Sequence, residues 1–115
     1  MATIIKSVNN ESDTPVAYLG KQETLPIAPT GWRAWGFAPN ANHDFGWEIE
    51  TRRGYQALLT KAGVFYIWDN GSWLILYQKA GSTESVVLIA LEGPWNPQIE
   101  LTVKSDGMPS ARQLS

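Results

Sequence analysis

The sequence predicts an all-β domain, an antiparallel β-sandwich or a closely related open barrel of about nine or ten strands. Three observations lead there. Gly, Pro, Asn and Asp interrupt the chain about every 8–12 residues, the rhythm of short strands joined by turns. No window repeats apolar residues at helical spacing over three turns. Finally, Asn70-Gly71 sits between two apolar runs, Val64–Trp68 and Trp73–Gln78, which is a strong local hairpin signal. At 115 residues the chain is the size of one domain and long enough to bury a core.

The elements follow in order. Thr3–Val8 opens as a strand and ends in a polar turn, Asn9-Asn10-Glu11-Ser12-Asp13. Pro15–Leu19 and Glu23–Ile27 come next, then Trp32–Phe37. Ala38–Asp44 reads as a long loop because Pro, Asn and Asp are turn residues. Phe45–Arg52 and Tyr55–Lys61 read as a hairpin about Arg53-Gly54. In its first strand Phe45, Trp47 and Ile49 alternate with Gly46, Glu48 and Glu50, the pattern of a half-buried strand. Ser85–Leu91 and Ile99–Lys104 complete a domain spanning residues 1–104. The polar stretch from Ser105 to Ser115 reads as a tail lying on the surface.

The Asn-Gly hairpin can be read to the level of pairs. A type I′ turn centred on Asn70-Gly71 sets Trp68 opposite Trp73, Ile67 opposite Leu74 and Tyr66 opposite Ile75. Alternation then divides the side chains. Phe65, Ile67, Leu74 and Leu76 form an aliphatic face assigned to the core. Val64, Tyr66, Trp68, Trp73, Ile75 and Tyr77 form the other, which is aromatic. A sheet with one wet face would carry polar residues there. This aromatic face therefore needs a cover: a second packing layer, another subunit or a ligand.

Composition narrows the function classes. The formal net charge is −2 with no basic cluster, which argues against binding nucleic acid through its phosphates. The chain has no cysteine, so disulfides and thiolate zinc sites are excluded. The first ten residues lack the basic start and apolar core of a secretory leader, and no apolar run is long enough to span a bilayer. A cytoplasmic location, or release without such a leader, is the expectation. Enzyme readings find little support. His43 is the one histidine, and no Gly-x-Ser-x-Gly elbow accompanies it. Glu48 and Glu50 share a strand face about 7 Å apart, within the range of inverting glycosidases, but an exposed pair has no cause for a raised pKa. No cofactor or metal is expected.

Six tryptophans and a set of Asn and Asp residues near turns suggest ligand binding instead. Trp32 is flanked on its face by only Ala34 and Gly36, leaving a flat ring open for stacking. Asn42, His43 and Asp44 offer the donors and acceptors that match vicinal hydroxyls. Trp68, Asp69, Asn70 and Trp73 combine indoles with a polar hairpin tip. Trp95 and Asn96 lie between Pro94 and Pro97, which stiffen their loop. Each group also has a structural reading, as core or ordinary turn. In size, composition and strand density the chain resembles small cysteine-free β-sandwich lectins of fungi and bacteria, and also the membrane-binding aegerolysins. The resemblance transfers no individual residue. The expectation is a non-enzymatic protein that binds a glycan or glycoconjugate, with a membrane or lipid-headgroup surface as the alternative partner. A third reading is a structural dimerisation module, with the aromatic hairpin face as the interface of a homodimer.

Overall fold

The computed structural model describes residues 2–21, 33–52, 55–79, 84–93 and 96–114. It is an all-β sandwich of ten strands. These are β1 (Ala2–Asn10), β2 (Val16–Lys21), β3 (Arg33–Phe37), β4 (Ala41–Glu50) and β5 (Tyr55–Thr60), followed by β6 (Gly63–Asp69), β7 (Trp73–Tyr77), β8 (Ser85–Ala90), β9 (Gln98–Val103) and β10 (Pro109–Gln113). Four strands form one sheet in the order β10-β9-β1-β4, and six form the other in the order β3-β2-β5-β6-β7-β8. All pairs are antiparallel except β1 with β9, which is parallel.

Several sequence expectations are corrected. Phe45–Arg52 and Tyr55–Lys61 do not form a hairpin. β4 pairs with β1, whereas β5 pairs with β2 and β6, so the chain changes sheets between them. The expected loop Ala38–Asp44 is mostly strand, because β4 begins at Ala41 and runs against β1. The expected surface tail contains β10, which pairs with β9 at the sheet edge. The expected strand Glu23–Ile27 lies outside the described residues.

The core fills the space between the sheets. Ile5, Val8, Ile99, Leu101 and Val103 enter from the four-stranded sheet, and Tyr18, Leu58, Phe65, Leu74 and Leu76 from the six-stranded one. Trp35, Phe37, Phe45 and Trp47 gather with Tyr18 at one end, largely as edge-to-face or tilted ring pairs with centroids 4.5–6.5 Å apart. The alternation read from β3 and β4 holds: Phe37, Trp47 and Ile49 are buried while Ala34, Gly36, Gly46 and Glu48 are exposed.

Polar side chains join the two layers at defined points. Gln56 Oε1, on β5, accepts from Tyr18 Oη at 2.8 Å and from Trp47 Nε1 of the opposite sheet at 2.6 Å. Burial pushes the Tyr18 hydroxyl well above the ordinary tyrosine range, so it stays a neutral donor. Elsewhere Thr3 Oγ1 donates across the sandwich to Asp69 Oδ2 at 2.5 Å. Buried Asn10 donates to the carbonyls of Thr14, Phe37 and Ala38 and accepts from Ser12. Thr60 Oγ1 donates to the carbonyl of Gly107, tying the β5–β6 turn to the β9–β10 turn. Gly20 makes room at the first of these joins. A Cβ there would lie 2.8 Å from both Gln56 Oε1 and the Trp47 ring.

Replacing Gln56 by Leu puts an apolar side chain of similar size in its place and leaves two buried donors without an acceptor. The expected destabilisation is roughly 3 kcal/mol, measured by denaturant unfolding. Gly20→Ala should also destabilise, because the ring and the amide must both move. A loss below about 1 kcal/mol for Gln56→Leu would remove this join from the stability account.

Candidate functional site

The β6–β7 hairpin carries the most exposed tryptophan among the described residues, Trp73, at 41%. Its turn differs by one step from the sequence reading. Observed pairs are Tyr66 with Tyr77, Ile67 with Leu76, Trp68 with Ile75 and Asp69 with Leu74. Gly71 and Ser72 thus take the central positions, and the Asn70 N–H donates to the Trp73 carbonyl at 3.1 Å. Gly71 has φ 96° while Asn70 does not enter the positive region, which excludes type I′ and matches the glycine-first preference of type II′ turns.

Side-chain acceptors explain the choice. Asn70 Oδ1 accepts from the N–H groups of Ser72 and Trp73 at 2.9 and 2.8 Å. Asp69 Oδ1 accepts from Gly71 N–H at 2.8 Å. The tip is wrapped around these two oxygens. Every side chain still keeps its predicted face, because the correction moves each partner by two residues. Trp68 and Trp73 are therefore diagonal neighbours rather than direct partners, still within reach of aromatic side chains.

Phe65, Ile67, Leu74 and Leu76 are buried as expected, and Val64, Tyr66 and Trp73 are exposed. The sequence reading did not foresee that β8 widens the outer face. Leu88, opposite Ile75, is 51% exposed, and Ala90 lies opposite Trp73. Beside Ala90 an open groove of about 550 Å³ is lined by Glu92, Gly93, Gln113 and Leu114. Gln113 closes one side of it by donating to the Glu92 carbonyl and accepting from the Glu92 N–H.

The remaining candidates do not converge there. Asp69 is buried, and its carboxylate is engaged by Thr3 and Gly71. His43 faces inward, with its ring 5.4 Å from that of Phe37 and Nε2 at 2.9 Å from the Ala38 carbonyl. Asn42 and Asp44 are exposed on β4, on the outer side of the four-stranded sheet. That places them on the opposite side of the sandwich from Trp68 and Trp73, so one small ligand cannot touch both groups. Asn96 is exposed with φ 44°. Trp32 and Trp95 lie outside the described residues.

Asn42 belongs to a polar cluster that the sequence did not reveal. Glu100 Oε2 accepts from Ser7 Oγ at 3.0 Å and from Asn42 Nδ2 at 3.5 Å, and Oε1 accepts from Arg112 Nε at 3.2 Å. Glu100 is only 9% exposed. Burial opposes its charge, but the hydrogen bonds from Ser7 and Arg112, the positive charge of Arg112 and the bond from Asn42 together hold its pKa below the usual carboxylate range. The cluster joins β4, β1, β9 and β10 across their outer surface. No family model, no curated protein and no solved structure matches the chain.

The sign of the Glu100 shift fixes its pH dependence. The unfolded carboxylate protonates near 4.5, and the folded one at lower pH. Its contribution is present above that value and is lost as pH falls through the folded pKa. Thermal melts of the native chain and Glu100→Gln should differ most near neutrality and converge in acid. A constant difference across the acid range contradicts the assignment.

Proposed function

We propose that the protein is a non-enzymatic carbohydrate-binding protein whose site is the tip of the β6–β7 hairpin. The observation that carries this reading is Trp73, a residue 41% exposed on a strand end whose turn is held by Asn70 and Asp69. A flat ring on a fixed backbone is what stacking on the apolar face of a sugar requires. Asn70 uses Oδ1 for the turn, which orients its amide. Nδ2 then remains as a donor for a hydroxyl, and the exposed Ser72 adds a group that both donates and accepts. Glu92, at the adjoining groove, supplies a carboxylate acceptor.

In this arrangement Trp73 provides the stacking platform, while Asn70 and Ser72 select hydroxyl geometry. Asp69 serves by shaping the turn and does not touch the ligand. The site is shallow, so affinity for a single sugar is weak and gains from repetition of the site.

A glycan array followed by tryptophan fluorescence titration tests the reading. A sugar that binds should perturb indole emission, and Trp73→Ala should weaken binding about tenfold with an unchanged circular dichroism spectrum. No array hit with unchanged emission across the panel overturns it. So does undiminished binding by Trp73→Ala. Sedimentation with vesicles free of glycolipid, in place of any array hit, would assign the protein to lipid surfaces instead.

A further inference from the structure

The outer face of the six-stranded sheet is largely apolar, with Lys21 placed at one end of it. Pairing and alternation assign it Ala34 and Gly36 on β3, Ala17 and Leu19 on β2, and Ala57 and Leu59 on β5. They add Val64, Tyr66 and Trp68 on β6, Trp73, Ile75 and Tyr77 on β7, and Leu88 and Ala90 on β8. Besides Lys21, its polar groups are Ser85 at one corner, the tyrosine hydroxyls and the indole N–H groups. Val64, Tyr66, Trp73 and Leu88 are between 36% and 51% exposed. A monomer rarely leaves so continuous an apolar surface in water.

We infer that a second copy of the chain covers this face, forming a face-to-face dimer about a two-fold axis that runs along the strands between β5 and β6. Two features select this occupant. The first is shape. The half of the face built on β3, β2 and β5 is low, with Ala17, Ala34, Gly36 and Ala57 as four of its six described positions. The half built on β6, β7 and β8 is tall, with Tyr66, Trp68, Ile75, Tyr77 and Leu88. The proposed axis exchanges the halves, laying β8 of one copy over β3 of the other and β7 over β2. Tyr66 of each copy then lies over Ala57 of the other, and Tyr77 over Leu19, in both directions, as an isologous interface demands.

The second feature is area. Six strands about 4.8 Å apart, each crossing the face for about 18 Å, span on the order of 500 Å² in plan. Two copies then bury on the order of 1,000 Å² or more, which meets the minimum area of a biological interface. Face-to-face packing at the usual distance of about 10 Å would make the dimer a further layer on the geometry of the core.

The axis has a consequence for the site. Rotation about the strand direction keeps both hairpin tips at the same end of the dimer. Trp73 lies at the strand end, where twisted sheets splay apart at their corners. Two sugar sites would thus face one multivalent target together. This consequence rests on the sugar reading, whereas the dimer does not.

Sedimentation equilibrium of the full chain tests the dimer directly. The expected result is a micromolar self-association to twice the 12.8 kDa chain mass. Leu88→Lys places a charge on the tall half, and Ala34→Trp fills the low half without removing apolar surface. Each should raise the dissociation constant on the order of a hundredfold. Both positions are exposed, so circular dichroism and the thermal melt of the monomer should be unchanged. A native chain that stays monomeric throughout the micromolar range overturns the inference. Dimerisation that survives either variant in a folded chain overturns it equally, as does a monomer that instead takes up neutral phospholipid vesicles.

Discussion

Gln56 Oε1 lies in the core with one donor from its own sheet, Tyr18, and one from the other, Trp47. Apolar packing alone would allow the sheets to slide, because it has little direction. This acceptor has direction, and it has no water to fall back on. It fixes where β4 crosses over β2 and β5, and Gly20 must lack a side chain for the approach to occur. The aromatic group around Tyr18 then packs in the space that remains. Thr3 with Asp69, Asn10 with Phe37 and Ala38, and Thr60 with Gly107 hold other parts of the sandwich in the same manner. With the sheets held in one relation, each strand has a settled inner and outer side.

The outer sides differ. The four-stranded sheet presents Glu100 bonded to Ser7, Asn42 and Arg112, with exposed Glu48 and Asp44 on the same surface. That is a surface suited to water. The six-stranded sheet presents alanines, glycine, leucines and aromatic rings. The contrast follows from sequence alternation and not from local disorder of the pattern. Function is therefore sought on the six-stranded side: a ligand at the hairpin tip and a second subunit across the face.

Face assignment was legible from the sequence because period-two alternation depends on nothing but the strand itself. It placed Phe65, Ile67, Leu74 and Leu76 in the core, and Tyr66 and Trp73 outside it. Pairing between distant strands was not legible. β4 joins β1 across tens of residues and β9 runs parallel to β1 across most of the chain, pairings that leave no local mark. The Ser7–Glu100 bond depends on that pairing, so the polar cluster could not be foreseen. Asn42, His43 and Asp44 looked like a loop because their residue types favour turns, but their neighbours on β1 impose a strand. The hairpin turn failed by one residue for a subtler reason. Asn70 supports the tip better as a side-chain acceptor than as a residue of positive φ.

Isotope-filtered nuclear Overhauser spectroscopy on a mixture of labelled and unlabelled chains tests most directly whether the apolar face is covered by its own copy. Intermolecular contacts are expected from the Leu19 methyls to Tyr77, and from the Ala34 methyl to Ser85. Contacts confined to the four-stranded sheet, or none in a sample concentrated well above micromolar, would contradict the proposal that two low and two tall halves interlock.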